Sequence, residues 1–280
     1  MKRNDEAFSH DRSYLFVPAD RLSRLSKALA SGAHSVIVDL EDAVAPADKC
    51  LARNSFAEAW QQLDPANRSR VVVRINATDT PWHTDDLALL SQLAATGLTS
   101  VMVPKAESAT ALQAVASEAP SLALLPLIES AQGLRSLDLL AQVHQVRQFA
   151  FGHLDFQADL GMHCEGNEEE LNSVRLAIVI ASRLAGLRPP IDGVTTAVDD
   201  LSRLIADTQR SRRFGFGGKL CIHPRQIEVV NQTLCPTNEE LEWAKHVLAE
   251  SSLQKAGAFK YGGQMIDAPV LQRAKNLLSR

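Results

Sequence analysis

The chain is poor in cysteine and has no excess of basic charge, and both scarcities narrow what it does. Its 280 residues hold four cysteines, Cys50, Cys164, Cys221 and Cys235. None is spaced as CxxC, so neither a zinc site nor a disulfide framework is expected, and they read as buried or free thiols of a reducing cytoplasm. Lys and Arg number 29 against 33 Asp and Glu, a formal net charge of −4. Nucleic-acid binders show the opposite balance, although local basic pockets for phosphate groups remain compatible with it. There is no run of about 18 apolar residues, so no membrane-spanning helix is expected. The opening MKRNDEAFSHDR lacks the apolar core of a secretory signal. No GxGxxG follows the first apolar run, which removes the usual support for a dinucleotide-binding fold.

What is present is alternation. Hydrophobic residues make up 45% of the chain, enough for a sizeable core in one large domain or two ordinary ones. Short apolar runs at 13–19, 35–40, 70–75, 100–103, 122–128, 148–151, 190–194 and 219–222 read as strands. Between them, apolar residues recur at helical spacing, as in Leu171, Val174, Ile178 and Ala181. Eight strands alternating with eight amphipathic helices predict a parallel α/β fold. At this length they predict a closed (β/α)8 TIM barrel over residues 12–235. Residues 236–280 are less regular and are expected to form a C-terminal helical extension, with helices over 237–252 and 269–278 and a turn at Gly262-Gly263. That extension packs on a neighbouring subunit, lids the site or lies on its own barrel.

Two of the apolar runs end in a lone acid that is expected to be buried: LLPLIES in Glu129 and QFAFGHLD in Asp155. In a barrel, residues at the C-terminal strand ends face one mouth, where active sites are built. Two carboxylates on successive strands suit a hard cation such as magnesium, which takes one or two acids and fills its remaining positions with water or substrate oxygen. The competing expectation is that each acid pairs with a nearby Arg or Lys. Arg74, ending VVVR, is expected to point into the mouth, where its fork of donors suits a carboxylate or a developing enolate oxygen, or to pair with Glu41 or Asp42. Asp39, Glu41 and Asp42 crowd the end of strand two, and so many carboxylates need cations nearby. Together with Asn76 and Lys105 these residues are expected to ring one pocket. Lys105 suits a structural role as well as a functional one, and His223, in CIHP, is read first as a packing residue. The run Glu168–Glu170 reads as a solvated face.

The motifs SYLFVPA, DLEDAV with Lys49 and Arg53, VRIN, VPKAE, LPLIES, FGHLDFQADLG and GFGGKLCIHPRQI occur in this order. With them the chain resembles the citrate lyase beta-subunit-like proteins of the HpcH/HpaI aldolase superfamily, over about residues 12–235. It departs from that pattern at His34, where an Asp is common, and in the stretch DGVTTAVDD. The resemblance implies a (β/α)8 barrel, a homotrimer, and magnesium-dependent carbon–carbon bond cleavage or formation on a 3-hydroxyacyl-CoA thioester: citryl-CoA, malyl-CoA or citramalyl-CoA. By the same resemblance Glu129 and Asp155 match the metal ligands, Arg74 matches the substrate-binding arginine, and Glu41 and Asp42 match acids beside the metal-bound waters; Glu129 is also expected to contact substrate. Two rival expectations stand: a beta subunit of a citrate lyase complex that receives an acyl-carrier-bound thioester, and a metal-dependent aldolase of free hydroxy-oxo acids. A non-catalytic scaffold is disfavoured by the intact set Arg74, Glu129 and Asp155.

Overall fold

The computed structural model describes residues 11–253 and 258–278. Most of the stretch tested above for a secretory signal, residues 1–10, therefore lies outside the described residues. The strands are β1 (Ser13–Pro18), β2 (Ser35–Asp39), β3 (Val71–Arg74), β4 (Ser100–Val103), β5 (Ala123–Ile128), β6 (Ala150–Phe151), β7 (Ile191–Asp192) and β8 (Gly218–Cys221). Every neighbouring pair is parallel, and β8 returns to β1, closing the barrel. The barrel expectation is met. Among the described residues no helix is long and apolar enough to cross a membrane.

Period-two alternation decides which side chains enter the barrel. Tyr14, Ile37, Val72, Met102, Leu125, Leu127, Ala150, Ile191 and Leu220 form one buried cluster, with every strand contributing. Two residues further along the same face stand Phe16 on β1, Asp39 on β2, Arg74 on β3 and Glu129 just past β5. The apolar floor and the polar mouth are thus successive layers of one alternating pattern.

The crossovers are α1 (Leu25–Leu29), α2 (Lys49–Gln62), α3 (Pro65–Arg68), α4 (His83–Ala94), α5 (Ala109–Glu118), α6 (Ala131–Arg135), α7 (Leu137–Ala141), α8 (His153–Leu160), α9 (Asn172–Leu184), α10 (Leu201–Phe214) and α11 (Arg225–Leu234). Helices α3 and α8 were not expected, and two expected helices differ in form. The helix expected over 21–31 begins as a 3-10 turn, Ala19–Arg24, with Arg21 off helical geometry. The helix expected over 134–141 is divided at Ser136. Strands β6 and β7 are only two residues long, because the chain turns into α8 at Gly152-His153 and into a loop at Gly193.

The structure forms two compact units that divide between Asn231 and Gln232, inside α11. The C-terminal unit holds α12 (Asn238–Leu253), a hairpin of β9 (Phe259–Tyr261) and β10 (Gln264–Ile266), and α13 (Ala268–Leu278). The turn at Gly262-Gly263 was legible; the short strands flanking it were not. This unit has its own core of Ala244, Val247, Ile266, Ala274 and Leu277.

Candidate active site

A cavity of about 840 Å³ opens at the C-terminal ends of the strands, within the range of about 300–1,000 Å³ usual for small-molecule sites. Asp39, Asp42, Arg74, Glu129 and Asp155 line it, so five of the expected residues are brought together. Glu41 and Asn76 are buried beside the mouth rather than lining it, and Lys105 points its side chain to solvent.

Register places the first pair. Asp39 and Arg74 are direct partners across β2 and β3. Arg74 donates from Nε to Asp39 Oδ1 at 2.7 Å and from Nη2 to Asp39 Oδ2 at 2.6 Å. Its Nη1 lies 2.8 Å from Glu41 Oε2 and 3.7 Å from Asp42 Oδ2. Phe16 lies under the guanidinium, 5.0 Å from ring centroid to Cζ. Both readings of Arg74 therefore hold at once: it is ion-paired, and it faces the cavity with donors to spare, since a guanidinium has five. The β2 exit loop that carries these acids is tied down by Lys49, whose Nζ donates to the carbonyls of Leu40 (2.9 Å) and Glu41 (2.8 Å). Burial pushes the Glu41 carboxyl up to about 7, against the pull of Arg74 and with the repulsion of Asp42 and Asp39.

Glu129 is the most exceptional acid. Its Oε1 accepts the Lys105 N–H at 2.6 Å, which Lys105 delivers from a left-handed backbone, φ 45°. Its Oε2 is buried with no hydrogen-bond partner. Burial pushes this carboxyl up to about 8; the charges of Glu41 and Asp155 add, while the Lys105 N–H and Arg74 oppose. Gly152 makes room for it, since a Cβ there would stand 2.7 Å from Oε2. An unpartnered, buried carboxylate oxygen aimed at a cavity fits a cation, because leaving such a group unpaired costs free energy.

Asp155 differs from expectation. It does not end a strand but lies in the first turn of α8, and it is exposed rather than buried. The chain turns at Gly152, so the acid reaches the mouth from a helix. Among the described residues no group of three or more His, Cys, Asp or Glu is placed to hold a metal ion. Two carboxylates with room for water and substrate oxygen is the donor set of magnesium, not of a closed structural site.

The rim was missed. Arg21, Arg24 and Lys27 line the cavity; their spacing of three was the available signal. Glu168 is a second correction: it is not on a solvated face but meets His153, Arg175, Arg203 and Arg210. Burial works against its charge, but hydrogen bonds and charge from His153 and Arg175 outweigh it and hold its carboxyl far below the usual range. Glu169 and Glu170 are exposed, as expected. His223 lines the cavity while its Nδ1 accepts the Arg225 N–H.

The chain is similar to known proteins over nearly its whole length. The profile of the HpcH/HpaI aldolase/citrate lyase family matches residues 12–224, and that of the C–C bond lyases of the TIM-barrel fold matches residues 176–280. A citrate lyase subunit beta-like protein of Mycobacterium tuberculosis is 38% identical over 272 residues, 95% of this chain and 94% of the relative. A (3S)-malyl-CoA thioesterase of Cereibacter sphaeroides is 30% identical over 269 residues, 96% of this chain and 92% of the relative. The crystal structure of protein CitE from Mycobacterium tuberculosis in complex with magnesium, acetoacetate and coenzyme A superposes with a TM-score of 0.84 at 37% identity, covering 96% of this chain and 97% of that one.

Proposed function

The chain belongs to the HpcH/HpaI aldolase/citrate lyase family, and from that premise we propose how its cavity carries out a lyase reaction on an acyl-CoA. The enzyme is a magnesium-dependent carbon–carbon lyase. It splits a 3-hydroxyacyl-CoA (citramalyl-CoA, malyl-CoA or citryl-CoA) into acetyl-CoA and a 2-oxo acid. The observation that carries this proposal is Glu129 Oε2, buried and unpartnered, in a cavity that also holds the Arg74 guanidinium and a cationic rim.

Glu129 and Asp155 would hold the magnesium ion, which when bound polarises the substrate's hydroxyl and carboxylate oxygens as a Lewis acid. The spare N–H groups of Arg74 bind the thioester oxygen. As the hydroxyl loses its proton and the carbon–carbon bond breaks, the bonding electron pair moves into the thioester, and Arg74 stabilises the negative charge that grows on that oxygen; one proton taken up at the enolate carbon then gives acetyl-CoA and balances the one lost from the hydroxyl. Asp39 keeps the guanidinium in one orientation throughout, so little reorganisation is needed as charge develops. Glu41 acts through Arg74, and Asp42 stands at the cavity wall beside it. Arg21, Arg24 and Lys27 supply positive charge suited to the phosphates of coenzyme A.

A second reading, thioester hydrolysis, is favoured by the malyl-CoA thioesterase relative. One assay separates the two. Purified protein is given each of the three thioesters with Mg²⁺, and with EDTA as control. Acetyl-CoA plus a 2-oxo acid, lost with EDTA, supports the lyase; free CoA plus the intact hydroxy acid supports hydrolysis. No turnover of any thioester would overturn both and favour a subunit that works only inside a lyase complex.

The same proposal includes self-association as a homotrimer, with residues 236–280 as an extension packed on a neighbouring copy. Leu176, Ile180 and Leu184, four residues apart on α9, are exposed, and an apolar stripe of this kind marks an interface more often than free surface. We place the reaction in the cytoplasm, in keeping with four free cysteines.

A further inference from the structure

A charge network that the reaction does not use meets the cavity at His153, which lines it. Glu168 sits in left-handed backbone, φ 50°, a conformation that a non-glycine residue keeps only where its surroundings over-determine it. Its carboxylate lies 3.3 Å from His153 Nε2, 2.9 Å from Arg210 Nη2 and 3.8 Å from Arg203 Nη2, and it also pairs with Arg175. His153 is buried. Its ring packs on Phe151, 6.1 Å between centroids, and Arg175 in turn lies over Phe151 at 5.7 Å.

On another side His153 meets Gly193. A Cβ built there would stand 2.1 Å from His153 Nδ1, so only glycine fits while the ring stays. Gly193 is itself fixed. Its N–H donates to Asp192 Oδ1 at 2.9 Å, and its carbonyl accepts from the buried Lys219 Nζ at 2.7 Å. His153 opens α8, and Asp155 lies in the first turn of that helix.

We propose that Glu168 and Gly193 are positioning residues that clamp the His153 ring from two sides and, through the first turn of α8, hold Asp155 where it shares a divalent cation with Glu129. This rests on the assignment of Glu129 and Asp155 as ligands. A buried ionic cluster is weak evidence of stability, since apolar residues of similar volume fill the same space at less cost. Fixing one ring, and with it an otherwise exposed carboxylate, is a use that charge and close contact serve and loose apolar packing does not. Supporting contacts of this kind change metal affinity by about 10–100-fold.

The test is Mn²⁺ binding to the full chain, followed by the EPR signal of free Mn²⁺ with no thioester present. Gly193→Ala weakens Mn²⁺ about 10–100-fold, and Glu168→Gln, which keeps shape but removes charge, weakens it in the same direction. Both lower turnover at limiting metal with little change in KM for the thioester. Because the ring transmits the effect, Gly193→Ala made in a His153→Ala background changes affinity less than about two-fold, a coupling that a general packing defect does not give. Wild-type affinity in folded Gly193→Ala and Glu168→Gln would overturn the proposal, as would an equal loss with and without the ring. If Gly193→Ala does not fold, Glu168→Gln decides alone. Absence of Mn²⁺ binding by the unaltered chain would sink the ligand assignment itself, and the proposal with it.

Discussion

Asp39 grips Arg74 with both carboxylate oxygens, at 2.7 and 2.6 Å, across directly paired positions of β2 and β3. A two-point pair fixes a plane as well as a position, and only arginine presents the matching fork. Lysine at position 74 keeps the charge but loses the plane and at least one of the donors left for substrate. Arg74→Lys is therefore expected to lower kcat by about 10²–10³-fold, measured as acetyl-CoA release at saturating thioester and Mg²⁺. Near-normal kcat would remove Arg74 from the charge-stabilising role.

The pair of raised carboxyls makes a prediction about pH. Glu129 is pushed up to about 8 and Glu41 to about 7, both chiefly by burial. The folded state then binds these protons more tightly than the unfolded chain, where a glutamate titrates near 4.5. Their contribution to stability is complete below about pH 4.5 and is lost as pH rises through 7 and 8. Metal-free protein is expected to lose on the order of 2–4 kcal/mol across that window, with Mg²⁺ restoring part of it at pH 8. Melting in EDTA and in Mg²⁺ from pH 5 to pH 8.5 checks this; parallel curves would refute it. Glu129→Gln should raise the melting temperature of the metal-free protein at pH 8 and abolish the response to Mg²⁺.

The barrel was legible because parallel strands buried on both faces read as short apolar runs separated by helical periods. The two acids proposed as metal ligands were legible as acids but not as geometry. Glu129 follows β5 by continuing the inward alternation from Leu127, whereas Asp155 follows a chain that has already turned at Gly152. Which of Asp39, Glu41 and Asp42 would grip Arg74 depended on strand register, which composition does not specify. The Glu168 network was hidden because its partners are 7, 15, 35 and 42 residues away in sequence, and a run of three glutamates looks like a wet surface until those partners are folded against it.

The rim cations allow a test of a CoA thioester against a free acid as substrate. Arg21, Arg24 and Lys27 are exposed, so reversing one of them should not disturb folding. Lys27→Glu is expected to raise KM for the thioester roughly 3–10-fold, more at low salt, with kcat nearly unchanged. Steady-state kinetics at two ionic strengths read this directly. An unaltered KM, together with turnover of a free hydroxy-oxo acid, would favour the aldolase instead.

The loop that follows Arg74 rests on a buried ion pair. Arg53 Nε donates to Asp86 Oδ1 at 2.7 Å, and Asp86 Oδ2 accepts the Asn76 N–H at 2.8 Å and Asn76 Nδ2 at 2.7 Å. Asp86 is fully buried, so removing Arg53 leaves a buried charge without its ion-pair partner. Arg53→Ala is expected to cost about 3–5 kcal/mol of stability, read from urea denaturation midpoints. Asp86→Asn should cost less, because it removes the charge while leaving an oxygen to accept from Asn76 and a group to face Arg53. If the two variants are equally destabilised, the loss is of packing and hydrogen bonds rather than of an uncompensated charge. Asn76 is two residues from Arg74, so the Arg53 variant should also lower kcat even when assayed well below its melting temperature.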